Sequence, residues 1–285
     1  MRSGLRQITL LVLAPLVSMA TNSHANGSVL LPAPGTGSVT VSQVSQSADD
    51  FWHIVNGEME HTPFPPGLEQ TTTSISGTYG LSDAWALDAQ VGGSEASNKY
   101  TFPHPSLDGR TDLNLGLTWR FVDEVTSDAP SMAVRVGAIV AGDYEINWPT
   151  AIGEGADGLE ISGIVGKVLG DRLALSAEVG TRNRSNDVPR ETFVNFDAHL
   201  IAGPHVVLSA QYHLQRSDGD RDIHGPGFTR FVLPFVDEDI NRLSLGGTVS
   251  LGPVDIGLRW FDVLDGRNTA DFNAVAGTFT YRFGF

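Results

Sequence analysis

The chain has 285 residues, a formal net charge of −15 and no cysteine. The lack of cysteine excludes disulfide bonds and thiolate metal sites, and the acidity argues against nucleic acid or anionic lipid head groups as direct ligands. Glycine is abundant, with 32 residues, and the mean hydropathy is close to neutral. Such a composition is typical of chains that alternate apolar and polar residues along β-strands.

The N-terminus has the features of a secretory signal peptide. Two arginines precede an apolar run over residues 8–17, and small residues at 18–20 and 23–25 offer cleavage sites. The run is too short to cross a bilayer as a helix, which disfavours the alternative of an N-terminal anchor. We therefore predict a cleaved signal peptide over 1–25 and a single mature domain over 26–285.

A period of two in the side-chain pattern predicts twelve strands, separated by turns rich in glycine, proline and aspartate. In chain order they cover residues 38–46, 70–79, 84–95, 111–121, 131–141, 157–168, 172–183, 191–202, 205–216, 240–251, 254–261 and 271–285. Short and long connections alternate, and the longest predicted loops are 47–69 and 217–239. The predicted fold is all-β: a single closed antiparallel transmembrane β-barrel with short periplasmic turns and long extracellular loops. A secreted β-sandwich also alternates, but the strand number and the long apolar faces disfavour it.

The last strand gives the barrel an outside and an inside. Phe279, Tyr281, Phe283 and Phe285 share one face, and Arg282 lies on the other. Such an aromatic strand closing on phenylalanine resembles the C-terminus of bacterial outer-membrane barrels. The resemblance implies an outer-membrane location, contact with outer-membrane lipid and lipopolysaccharide, and recognition by the barrel-assembly machinery through the strand ending at Phe285. Aromatic residues near the predicted periplasmic strand ends predict an interfacial girdle: Tyr79, Trp85, Trp119, Phe121, Phe283 and Phe285.

Charged residues on the opposite strand faces predict the lumen. Turning one of them to lipid would cost about 2–4 kcal/mol, so the inward assignment is favoured. The candidates for the lumen or a constriction are Asp88, Arg120, Arg135, Glu160, Glu178, Arg182, Asp197, His199, His213, Asp255, Arg259 and Arg282. The set holds five carboxylates, five arginines and two histidines. It predicts either a salt-bridge network that fills the lumen or a polar, water-filled constriction that selects solutes.

Apolar residues in the predicted extracellular loops indicate a surface that needs a partner. The candidates for hydrophobic capture of a solute are Phe51, Trp52, Phe228, Phe231 and Phe235. The alternative is that these loops pack on one another or fold inward as a plug. The acidic run at 218–222 lacks the glycine and glutamate of an EF-hand loop, and the histidines have no ligand spacing, so we predict no metal and no cofactor.

Several short motifs resemble one family of outer-membrane barrels, labelled "MetA-pathway of phenol degradation" and described as transporter-like. They are Leu-Pro-Ala-Pro-Gly-Thr-Gly at 31–37, Thr-Tyr-Gly-Leu-Ser-Asp at 78–83, Asp-Leu-Asn-Leu-Gly-Leu at 112–117 with Arg120, Ala-Gly-Asp-Tyr at 141–144, and Ala-Ile-Gly-Glu-Gly at 151–155. The first motif lacks the family's lysine, and Trp119 stands where tyrosine is usual. The resemblance implies an outer-membrane barrel that passes small, often aromatic or hydrophobic, compounds.

Three functions follow as expectations. The first is a channel or transporter-like barrel for small aromatic or hydrophobic molecules, and the second is a non-conducting structural or surface-interaction barrel with a filled lumen. The third, an outer-membrane lipid hydrolase, is disfavoured because no Gly-x-Ser-x-Gly motif is present. A catalytic set assembled across strands would leave no sequence motif, but we expect no enzyme.

Overall fold

The computed structural model of the protein describes residues 27–55, 58–99, 106–148, 150–223 and 225–284. The predicted signal peptide over 1–25 and the terminal Phe285 lie outside these residues. None of the described helical segments is long and apolar enough to cross a bilayer.

The described residues form one antiparallel sheet that closes on itself. The strands are β1 (Gly37–Val55), β2 (Glu58–Ser82), β3 (Trp85–Ser97), β4 (Leu107–Arg110), β5 (Leu113–Val122), β6 (Ser131–Val140), β7 (Gly158–Leu169), β8 (Leu173–Arg184), β9 (Arg190–Gly203), β10 (Val206–Asp218), β11 (Asp239–Leu251), β12 (Val254–Arg267), β13 (Thr269–Ala270) and β14 (Asn273–Phe283), with a 3-10 helix over Arg230–Phe235. β4 and β13 are short pieces that pair with β3 and β1. The other twelve pair in sequence, and β14 pairs with β1, so the predicted closed twelve-stranded barrel is confirmed.

The first predicted loop is wrong. Residues 47–69 continue β1 and β2 as a hairpin that passes a register shift between Ala48 and Asp50 and stays paired as far as Val55 and Glu58. Beyond the lipid-facing band a strand no longer needs an apolar face, so the hydrophobic period ends in the sequence while backbone pairing continues. Phe51 and Trp52, predicted in a loop, therefore lie on β1.

The outer wall of the barrel is apolar. Val136, Ile161 and Leu258 expose 50%, 52% and 65% of their surface. A closed barrel satisfies its backbone hydrogen bonds internally, and an apolar exterior of this kind matches the hydrocarbon of a bilayer. On the closing strand Phe279 and Tyr281 point outward, as predicted.

Aromatic rings gather at one end of the barrel. The connections at this end, which we name the short-turn end, include residues 83–84, 170–172, 204–205 and 252–253. Trp85 stacks on Trp119 with 5.8 Å between ring centroids, and Tyr79 stacks on Phe283 at 6.4 Å. The opposite end, the long-loop end, carries the connections between β3 and β4, between β6 and β7, and between β10 and β11.

Candidate functional site: the barrel lumen

One row of registered residues carries charge across half of the lumen. Asp88 on β3 is opposite Gly116, Gly116 is opposite Gly137, and Gly137 is opposite Glu160. The row continues from Glu160 to Arg182 and Glu191. A methyl group at position 116 would overlap the Arg135 guanidinium and the Asp88 carboxylate. The glycine in the row therefore leaves room for an arginine that reaches in from two residues away on β6.

The side chains of this row form a continuous set of buried ion pairs, here called the lumen ladder: Asp88, Arg135, Glu160, Arg182 and Glu191. Arg135 donates to Asp88 through Nε at 3.0 Å and Nη2 at 2.7 Å, and to Glu160 through Nη1 at 2.6 Å. Arg182 donates to Glu160 through Nη2 at 2.9 Å and to Glu191 through Nη1 at 2.5 Å. Each guanidinium donates to two carboxylates. These charge-assisted hydrogen bonds offset the free energy that is lost when the charges are removed from water.

A second polar group lies beside the ladder. Glu178 accepts hydrogen bonds from Ser162 at 2.6 Å and from Asn195 at 2.9 Å. The Asn195 Oδ1 atom lies 2.7 Å from His213 Nδ1. Asp197 accepts from Gln211 at 2.7 Å. His199 is opposite Ser209 while His213 is opposite Asn195, so the two histidines are separated along the strands and do not form a metal-ligand pair.

The remaining predicted lumen residues lie nearer the short-turn end. Arg282 contacts Asp255 at 3.1 Å, and Arg259 Nη2 lies 3.5 Å from Ser209 Oγ. Arg120 is apart from the ladder, because its guanidinium donates to the Asp83 carbonyl at 2.7 Å and pairs with Asp123. Arg120 therefore stabilises the turn between β2 and β3, at the short-turn end of the barrel.

The other half of the wall carries hydroxyl groups. Thr40 and Thr280 lie 2.8 Å apart across β1 and β14, and Ser42 and Ser74 lie 2.7 Å apart across β1 and β2. A further pair joins β2 and β3. The lumen thus has a side on β3 to β9 that carries the ladder and a hydroxyl-lined side on β14, β1, β2 and β3, where Arg282 pairs with Asp255 near the short-turn end.

The segment before β1 enters the barrel from the short-turn end. Val29, Leu30 and Leu31 are 2%, 8% and 6% exposed. Val29 and Leu30 pack with inward-facing Ala133, Ile164 and Ala174 of β6 to β8. Arg120 Nη1 donates to the Val29 carbonyl at 3.2 Å. We name residues 27–31 the inner N-terminal segment; it occupies the side of the lumen that carries the ladder.

The loop between β6 and β7, residues 141–157, is fastened by one carboxylate. Asp112 Oδ1 accepts from the Tyr144 hydroxyl at 2.6 Å and from the Gly142 amide at 3.0 Å, and Oδ2 accepts from Arg184 at 3.0 Å. The Gly155 amide donates in turn to the Tyr144 hydroxyl at 3.1 Å. Four residues of the family-like motifs, at positions 112, 142, 144 and 155, thus meet in a single clasp.

Burial shifts the pKa values of ionisable side chains in and beside this loop. Burial, followed by the hydrogen bond to Asp112, raises the pKa of Tyr144 well above its usual value. Burial raises the pKa of Glu154 to about 8, although Arg184 Nε lies 3.0 Å from its carboxylate and opposes the shift. Burial likewise raises the pKa of Glu238, next to β11, to about 7. Glu154, which contacts Arg184 beside the clasp, and Glu238 therefore have pKa values near neutral pH at the edge of the lumen.

A cavity of about 920 Å³ opens in the half of the lumen nearer the long-loop end. One side is formed by hydroxyl and amide groups of β1 to β3: Ser42, Gln46, Gln70, Thr72, Ser74 and Gln90. The opposite side is apolar and comes from β12 to β14 and from the segment around the 3-10 helix: Phe261, Val263, Phe272, Ala274, Leu233 and Val236. The volume is in the range of a small-molecule site.

The five predicted capture residues do not act as one group. Phe51 and Phe228 line the cavity. Trp52 stacks on His61 at 4.2 Å, and Phe235 lies under the Arg221 guanidinium at 5.7 Å. Phe231 is 61% exposed. The cavity therefore includes two of the five rings.

Sequence reasoning missed several charged residues of the lumen. Glu191 shares the parity of the predicted lumen residues Asp197 and His199, and Arg242 lies on the face opposite to Leu243 and Leu245, so alternation alone could have found both. Asp112, Glu154 and Arg184 come together because the 141–157 loop turns inward, and no periodic pattern in its sequence predicts that turn.

Three potential metal ligands lie together at the long-loop end: Asp50, His61 and Asp271. Their ligand atoms lie within 4.8 Å of one another and could offer three ligands to a divalent cation.

No protein-family model and no curated protein matches the sequence. Among solved structures, the fold is similar to that of the COG4313 outer membrane channel from Pseudomonas putida F1, with 15% identity, a TM-score of 0.69, and coverage of 93% of this chain and 99% of that chain. It is also similar to the NanC porin, with 8% identity, a TM-score of 0.50, and coverage of 85% of this chain and 98% of that chain. At such identities the similarity shows a shared barrel fold.

Proposed function

We propose that the chain forms an outer-membrane channel for small molecules with an aromatic or other hydrophobic part. The cavity of about 920 Å³ carries the proposal, because it joins an apolar wall to a hydroxyl-lined wall inside a closed barrel. The apolar exterior supports placement in a bilayer, and the similarity to the COG4313 outer membrane channel supports the outer membrane. The sequence resemblance to the transporter-like family agrees with this assignment.

The structure also favours a second function, a barrel closed to flux. The inner N-terminal segment packs in the lumen, and the ladder fills the neighbouring side. Ladder and segment would together hold the pore shut unless the segment moves. No contact described above supports the hydrolase hypothesis.

Electrical recording separates the two functions. Mature protein folded into planar bilayers should give discrete single-channel currents, and liposomes should admit phenol faster than a sugar of similar size. Folded protein that passes neither current nor phenol would overturn the channel proposal. Replacing Phe51 and Phe228 by serine should reduce the preference for phenol over the sugar, while the matched change Phe231→Ser, outside the cavity, should leave it unchanged.

A further inference from the structure

Arg242 differs from the other arginine of the cavity wall. Arg184 also lines the cavity, but Asp112 and Glu154 both hold it. Arg242 has no hydrogen bond and no ion pair with any described residue, and its Nε atom is buried without a partner. A guanidinium withdrawn from bulk water without a counter-ion is unfavourable, and a negatively charged ligand would relieve the penalty.

The neighbours of Arg242 in the structure are aromatic, aliphatic and imidazole side chains. Its guanidinium carbon lies 5.7 Å from the centre of the Phe261 ring, and its strand neighbour on β12 is Val263. Phe261 packs in turn on Ala274. On the other flank, β10 places His213 opposite Arg242. These contacts fix the guanidinium beside an aromatic surface at the edge of the cavity.

We propose that Arg242 and the Phe261 wall form a binding site for an aromatic monocarboxylate. The carboxylate would take the unused donors of the Arg242 fork, in the bidentate geometry that guanidinium groups favour. The ring would lie along Phe261 and Phe272, and ring hydroxyls would face Ser42 and Thr72 across the cavity. This inference rests on the proposed channel function and names the class of its solute.

Calorimetric titration of the mature barrel in detergent micelles tests the site with four probes: benzoate, benzyl alcohol, benzylamine and acetate. Benzoate should bind more tightly than the neutral, the cationic and the ring-free probe. Arg242→Gln should weaken benzoate binding by about tenfold to a hundredfold, and Arg242→Lys, which keeps the charge and loses the fork, should fall between. The matched control Arg190→Gln removes an exposed arginine whose partner is Asp218, and should leave binding unchanged.

Equal benzoate binding by wild type and Arg242→Gln would overturn the site, as would benzyl alcohol or acetate binding as tightly as benzoate. If Arg242→Gln does not fold, the wild type still decides: benzoate should raise its unfolding temperature more than benzyl alcohol does at the same concentration, and equal shifts would count against the site. Potassium chloride conductance is recorded separately. Conductance without benzoate binding overturns the site alone, and binding with neither conductance nor phenol uptake supports the site while overturning the channel.

Discussion

Arg135→Met removes the guanidinium that joins two carboxylates of the lumen ladder. Arg135 is 2% exposed and makes three hydrogen bonds of 2.6–3.0 Å to Asp88 and Glu160. Each charge-assisted bond contributes about 1.5–3 kcal/mol, but the three share one group and do not add. Breaking a buried pair from one side costs about 3–5 kcal/mol, since the partner charges stay buried. We expect the free energy of unfolding to fall by about that amount.

Urea unfolding of the barrel in lipid vesicles, followed by tryptophan fluorescence, measures this loss. Arg190→Met is the matched control, because the Arg190–Asp218 pair is 56% and 69% exposed and should contribute about 0–1 kcal/mol. Adding Asp88→Asn to Arg135→Met should recover part of the loss by removing one of the stranded charges. If Arg135→Met destabilises the barrel no more than Arg190→Met does, the ladder is not a stabilising network and the reasoning is refuted.

Three further predictions concern the clasp and the inner N-terminal segment. Tyr144→Phe leaves Asp112 short of a donor, and should lower the free energy of unfolding by about 1–3 kcal/mol in the same urea assay; an unchanged midpoint would contradict the clasp. Glu154 has a folded pKa raised to about 8 from an ordinary 4.5, so its contribution to stability is complete below about pH 4.5 and is lost as pH rises through about 8. Glu154→Gln should therefore flatten the fall in unfolding temperature between these pH values, and parallel curves would refute the assignment. Val29→Asp places a charge among apolar side chains and should release the segment, which raises single-channel conductance; equal currents would show that residues 27–31 do not obstruct the pore.

Strand number and strand faces could be predicted because they depend on local alternation. The period of two in residues 113–121 and 275–281 is visible without any partner strand, and the structure places those apolar side chains outward. Bounds moved by only a few residues for most strands. The exceptions are residues 47–69 and β12, which runs to Arg267 rather than to the predicted 261. In both cases backbone pairing continues beyond the lipid-facing band, where the sequence has no hydrophobic alternation.

The arrangement of the lumen could not be predicted, because it depends on register. Asp88 and Glu160 are 72 positions apart in the chain and become neighbours of one guanidinium through the successive pairings of β3, β5, β6 and β7. A shift of one residue in any pairing would turn the row to lipid. The position of residues 27–31 inside the barrel could not be predicted either. In the sequence they form a short apolar stretch before a strand, which is also typical of a linker.

Under the proposed function, stability and solute selection would depend on different residues of this lumen. The ladder and the inner N-terminal segment occupy the wall from β3 to β9, where ion pairs and apolar contacts are saturated by protein partners. The cavity touches the ladder at Glu191, and its other walls include the hydroxyl groups of β1 to β3, the apolar surface of β12 to β14 and Arg242 on β11, which still has donors to offer. Changes at Arg135 should therefore alter the free energy of unfolding with little effect on benzoate binding, and changes at Arg242 should do the reverse.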